Sequence, residues 1–274
     1  QQNVLGAEGA VSWLATEKPE MIRQNALGTE GAVSWRATEK LDNWETGNAA
    51  VLRSSHKFMG ESTKAMHKSQ AIAAICSAAE NYHMNYENKQ MLFLGYKPSS
   101  NHVIYVEVAF DKTNFLHLTG VKLLGTQQYN ANTFYDRCLA KKLSPDDFDF
   151  AQDGTTELKL RILSYAFSGQ FLNAKMMGDF NGSGISLYTE KLIGSSRACV
   201  GFKLDAERKI YVPNTFLNDD IRERVVSPYQ VIAVFVRASK SSYSKNVYYA
   251  RKVNWDRIIY PAEFSYLPKP DFEK

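Results

Sequence analysis

VIYVEVAF (residues 103–110) runs through DKT into NFLHLTGV (residues 114–121). In the first half Ile104, Val106, Val108 and Phe110 alternate with Tyr105 and Glu107. That period of two belongs to an antiparallel strand with one buried face. In the second half His117 and Thr119 are alternate residues ahead of Gly120. Read as extended backbone, they share one side of the chain. An imidazole beside a hydroxyl can move a proton and bind an anion. A His in an apolar segment is equally what a satisfied core residue looks like, so the pair alone leaves both readings open.

Upstream, Ile72, Ile75, Cys76, Ala79 and Tyr82 fall at helical spacing, with Ser69 placed to cap the helix. Residues 91–96 read as a strand between two turns. Downstream, helices are expected over 132–142 and 156–167. In the second of these Leu158, Ile162 and Tyr165 are taken as the inward stripe and Thr155 or Thr156 as the cap. Residues 185–193, 197–204, 209–212, 231–236 and 246–253 read as strands, the 209–212 strand stopping at Pro213. The fold class is therefore α+β: N-terminal helices, then an antiparallel sheet of about five or six strands.

The first forty residues stand apart. NVLGAEGAVSWLATEK (3–18) and NALGTEGAVSWRATEK (25–40) agree at 13 of 16 positions, at a period of 22. Two copies are fewer than a solenoid needs. The division expected is a tandem-repeat segment and connector over 1–66, an α+β domain over 67–260, and an extended, peripheral tail over 261–274. The repeat reads as a docking peptide, a processing signal or a linker.

The 274 residues carry a net charge of +4, 44% hydrophobic residues and three separated cysteines. No apolar run is long enough for a membrane span. Cys76, Cys138 and Cys199 form no CxxC or Cys/His cluster, so they read as buried thiols in a reducing compartment. Between 221 and 260 eight Arg and Lys face only Glu223 and Asp256, a local charge of +6. Such a surface suits a polyanion, or guards a sheet edge.

Nucleotide-loop motifs, HExxH and GxSxG are absent from the sequence. What remains is scattered His, Thr, Lys and Arg. Thr189 and Lys191 form a second same-face pair, Lys191 supplying positive charge for a phosphate. Arg197 and Arg251, at strand ends, are further candidates for phosphate contact. Metal-independent RNA cleavage uses this inventory: a base for the 2′-OH, a cation for the phosphate oxygens, and an acid for the leaving 5′-oxygen.

The strand 103–110 with NFLHLTGV, NKQMLF (88–93), YTEKLIG (188–194), CVGF (199–202), VPNT (212–215) and DIR (220–222) resembles the fourth family of phage Barnase–EndoU–colicin–RelE-like nuclease domains. The resemblance covers roughly residues 70–253. It implies early helices, an antiparallel sheet of four or more strands, and an RNase module of a phage or mobile element. Such a module acts on RNA, tRNA among the candidates, in the cytoplasm of a bacterial host, with a host protein or immunity protein as a further partner. Motif membership and side-chain chemistry together nominate His117, Thr119, Thr189 and Lys191 for catalysis. Arg197, Thr215 and Arg251 are nominated for substrate binding. Neither a metal nor an organic cofactor is expected. Two rival readings stand beside this one. The first is an ADP-ribosyltransferase-like enzyme using NAD, with Tyr188 and Glu190 near His117. The second is a non-enzymatic module that blocks a host protein through the repeat.

Overall fold

The computed structural model describes residues 65–125, 129–182, 188–238 and 241–272. The tandem repeat lies outside them. Helix α1 spans Lys68–Asn85 with His67 as its cap, two residues earlier than a Ser69 cap would set it, and the Gln70 side chain accepts the His67 N–H at 3.0 Å. Its alanines (Ala71, Ala78, Ala79) are fully buried, so neighbouring helices pack close to its backbone. Strands β1 (Lys89–Lys97) and β2 (His102–Phe110) form a hairpin in register from Lys89↔Phe110 to Lys97↔His102.

The stretch after β2 departs from the extended reading. Residues Asn114–Thr119 form a short helix, α2, which Gly120 ends in the left-handed conformation at φ 71°. Phe115 and Leu118, three apart, turn into the core, and the Asn114 side chain accepts the Asp111 N–H at 3.0 Å. On a helix, residues two apart point about 200° from one another. His117 and Thr119 therefore do not share a side.

The chain continues through β3 (Lys122–Leu123), α3 (Ala131–Leu139), β4 (Phe148–Asp149) and α4 (Thr155–Phe167). Then follow β5 (Met176–Asp179), β6 (Lys191–Gly194), β7 (Cys199–Asp205), β8 (Ile210–Leu217), α5 (Ile221–Arg224), β9 (Tyr229–Ala238) and β10 (Lys245–Tyr249). Strands β3 and β4 pair only with each other. The other eight form one sheet in the order β1-β2-β8-β7-β6-β5-β9-β10. That is more than the five or six expected. Strand β5 was unread, and β8 runs through Pro213 instead of stopping there.

Because β9 also pairs with β1, seven of these strands close on themselves. The thinnest seam of the ring is β2–β8, a parallel contact with a single bridge, Val108↔Tyr211. Beyond that bridge β8 parts from β2, and α2 packs beside it.

Two faces of the sheet are apolar, which is why β1 and β9 read as near-continuous hydrophobic runs. On one side Phe93, Phe110, Phe202 and Phe216 meet Tyr82, Phe115, Phe134 and Phe167 from the helices. On the other, Leu92, Leu94, Ile232 and Phe235 meet Tyr243, Trp255, Ile258, Phe264 and Leu267. Residues 261–272 are thus packed, not peripheral: Phe264 and Leu267 are buried, and a 3-10 turn spans Ala262–Phe264. In α4 the inward stripe is Thr156, Leu160, Leu163 and Phe167, while Leu158 and Tyr165 face solvent. All three cysteines are free and buried.

Candidate functional site

The opening between β8 and β2 gathers residues far apart in sequence. Strand β8 carries a bulge: Gly201 faces Thr215 while Phe202 faces Pro213, leaving Asn214 as the extra residue. Bulges re-aim side chains, commonly beside functional sites. Here Asn214 Oδ1 accepts from the Thr189 hydroxyl at 3.1 Å, and its amide nitrogen donates to the Tyr188 carbonyl at 2.6 Å.

Gly201 is what lets the two threonines meet. A Cβ on it would stand 2.6 Å from Thr215 Cγ2, 2.8 Å from Thr189 Cγ2 and 3.0 Å from Thr189 Oγ1. Real side chains do not tolerate such approach. Both threonines are buried and form the floor of the site.

From α4, Lys159 reaches this floor. Its ammonium donates to Thr215 Oγ1 at 3.3 Å. Its stem crosses Gly120, where a Cβ would lie 2.8 Å from Lys159 Cδ. The left-handed Gly120 thus ends α2 and leaves room for the lysine. Its carbonyl accepts from Thr156 Oγ1 at 2.6 Å, which ties the end of α2 to the first turn of α4. Burial holds the Lys159 ammonium below the ordinary lysine pKa, and the field of Asp153 opposes this.

His117 lies on the solvent side of α2. Its pKa falls below the ordinary imidazole value of 6.5, first through desolvation, then through the charges of Lys203 and Lys159. Lys203, on β7, is exposed. The cluster is therefore an imidazole kept neutral near pH 7, two ammonium groups within its field, and a floor of hydroxyls. Its donors are cations and neutral groups, a set that attracts an anion and can exchange protons with it.

The residues expected from sequence divide clearly. The structure brings together Thr189 and Thr215, and puts His117 within the field of the lysine that contacts Thr215. It separates the others. The Thr119 hydroxyl is buried and donates to the Leu116 carbonyl at 2.7 Å, so it serves the backbone. Lys191 forms an ion pair with Asp179 across β5–β6, and its ammonium lies 6.0 Å from the Tyr211 ring centre. Arg197 stands in the turn between β6 and β7, at the opposite end of that hairpin from Thr189. Arg251 follows β10, which pairs only with β9. Glu190, named for the NAD reading, accepts the Leu204 N–H at 3.0 Å, and Tyr188 is 92% exposed.

Lys159, Lys203 and Asn214 escaped the sequence reading. For Lys159 a signal existed. It is three residues after Thr156 and one before Leu160, beside the stripe that is in fact buried. The local +6 over residues 221–260 is in part neutralised by acids from elsewhere. Arg222 pairs with Asp220, Arg224 with Asp219 and Arg237 with Glu107, all acids outside that window.

The family model described as phage-Barnase-EndoU-ColicinE5/D-RelE like nuclease4 matches residues 74–252. The chain belongs to this family. The match spans α1 through β10 and contains every member of the cluster, so the site lies within a nuclease-family domain whose expected substrate is a nucleic acid. No curated protein and no solved structure matches the chain. Among the described residues no helix is long and apolar enough to cross a membrane.

Proposed function

We propose that this domain is a metal-independent endoribonuclease that cleaves RNA by 2′-OH transesterification, with its centre at His117 and Lys159. The observation that carries the reading is Lys159 reaching the Thr189–Thr215 floor, with its charge and that of Lys203 both acting on His117. His117, neutral near pH 7, takes the proton of the 2′-OH as its oxygen bonds to phosphorus. Lys203 faces the non-bridging oxygens, whose charge grows in the phosphorane. Lys159, whose pKa is depressed, gives a proton to the 5′-oxygen as the phosphorus–oxygen bond breaks. The products are a 2′,3′-cyclic phosphate and a 5′-hydroxyl, and the imidazolium returns its proton to water. Thr215 and Thr189, through Asn214, are positioning residues that hold Lys159 and the bulge. Lys191, Arg197 and Arg251 are left to the periphery. On this reading the substrate is RNA of a bacterial cell, tRNA included, met in the cytoplasm of a host.

The experiment is incubation with all-ribo and all-deoxy oligonucleotides of one sequence in EDTA. Cleavage of the ribo strand alone, leaving cyclic phosphate ends, is expected. Equal cleavage of the deoxy strand excludes 2′-OH attack.

A further inference from the structure

A second feature lies outside this cluster. A cavity of about 510 Å³ opens where β1 begins and the β9–β10 hairpin turns, between Lys89, Lys245, Arg237, Gln170, Asn88 and Ser244. Its single acidic lining residue, Glu87, is already engaged by His83 and by the Tyr135 hydroxyl at 3.0 Å. Arg237 is fixed at the back. Its guanidinium donates to Gln90 at 2.8 Å and Glu107 at 3.3 Å and packs 4.2 Å from the Tyr243 ring centre. Lys89 donates to the Met84 carbonyl. Lys245 has no ion-pair partner among the described residues. Burial and the charge of Lys245 both press the Lys89 pKa down, as expected where two ammonium groups face one space.

The location gives the cavity its meaning. Lys89 pairs with Phe110 and with Ala238, so the cavity lies at the end of the sheet where β2 passes into α2. Strand β8 is parallel to β2, so Thr215 lies toward that same end. Along the order β8-β2-β1-β9-β10, Lys89 is two strand spacings and Lys245 four from the cluster, roughly 10–20 Å. A stacked strand rising about 3.4 Å per nucleotide covers this in three to six nucleotides.

We propose that this cavity is a phosphodiester-binding subsite, which anchors the RNA strand several nucleotides from the bond cleaved at His117. The inference rests on the reading that a nucleic acid strand is the substrate, not on the cleavage chemistry. The subsite makes affinity depend on strand length, because a dinucleotide at the cluster cannot also reach Lys245.

The test uses fluorescence anisotropy of the full chain with a labelled 2′-O-methyl RNA octamer and the matching dinucleotide, across a salt series in EDTA. The 2′-O-methyl group blocks 2′-OH attack, so binding is read without cleavage. The variant is Lys245→Gln, at an exposed position. The control is Lys252→Gln, an equal charge loss beyond the other end of β10. One lost phosphate contact lowers the slope of log K against log salt by about 0.7, which is about fourfold in affinity at 0.15 M salt relative to 1 M. Lys245→Gln is expected to show that loss on the octamer and not on the dinucleotide, with Lys252→Gln unchanged. Equal behaviour of the two variants, or equal parent affinity for both lengths, overturns the subsite. Failure of the nuclease reading would appear separately, as an intact all-ribo octamer beside an unaltered binding result.

Discussion

Lys159→Met separates chemistry from stability at the position that matters most. Lys159 donates to Thr215 at 3.3 Å, and burial disfavours its charged form. Removing a preorganised donor aimed at developing charge costs about 2.7–4 kcal/mol of transition-state stabilisation, or about 100–1000-fold in rate. Folding should respond the other way. The folded pKa is depressed, so the unfolded chain binds the proton more tightly, and the charged lysine costs stability at all pH values below that depressed pKa. That cost fades as pH rises toward 10.5. Methionine keeps most of the stem over Gly120 and carries no charge, so the variant should melt no lower than the parent at pH 7. The assay is single-turnover cleavage of an RNA oligonucleotide in EDTA beside thermal melting by circular dichroism. A rate within threefold of the parent refutes the role of Lys159 as proton donor to the leaving oxygen. A melting temperature lower by several degrees refutes the claim that the lysine is desolvated for function, since about 1 kcal/mol shifts a domain of this size by about 2–4 °C.

Four further outcomes follow from the same geometry. Because His117 lies below 6.5 under the influence of Lys203 and Lys159, the acid limb of the pH–rate profile should fall below 6.5, and Lys203→Gln should move it to higher pH. The same depression means that His117 costs stability as pH falls from 6.5 through its folded pKa, so His117→Ala should flatten the loss of melting temperature there. Gly201→Ala places a methyl 2.6 Å from Thr215 and 2.8 Å from Thr189, and should lower cleavage at least tenfold while thermal melting shows a loss of about 1–3 kcal/mol from overpacking. Lys191→Ala removes the partly exposed pair with Asp179 and the approach to the Tyr211 ring, and should cost about 1 kcal/mol of stability and less than tenfold in rate, measured as for Lys159.

The fold was legible where one period of side chains dominated. Strand β2 shows its alternation in eight residues. Helix α1 shows its stripe from Ile72 to Tyr82. Helix α2 was hidden because six residues hold fewer than two turns, too few to tell period 3.6 from period 2. In α4 two stripes compete at the same spacing, and only packing selects Leu160 and Leu163 over Leu158 and Tyr165, while Ile162 packs partly buried at the edge of the core. Strand β5, Met176–Asp179, is four residues long with a glycine at the third. Pro213 looked like the end of β8, but the bulge beside it accommodates a residue that cannot donate to the ladder.

The site was legible in part for a different reason. Thr189, Thr215 and His117 lie in motif-like segments; the sheet brings the two threonines together over Gly201, and α2, which carries His117, packs beside β8. Lys159 is marked only by its place beside the buried stripe of α4 and Lys203 by no local pattern, because their role arises from β8 parting from β2 after a single bridge. The apparent basic patch over 221–260 is reduced because the acids that pair with Arg222, Arg224 and Arg237 come from other parts of the chain.

The most direct test of the central claim is end-group analysis of RNA incubated in EDTA with the parent, His117→Ala and Lys159→Met. The account predicts 2′,3′-cyclic phosphate ends from the parent and at least a hundredfold fewer from either variant. Intact RNA with the parent, or cyclic ends at parental rates from both variants, would contradict it.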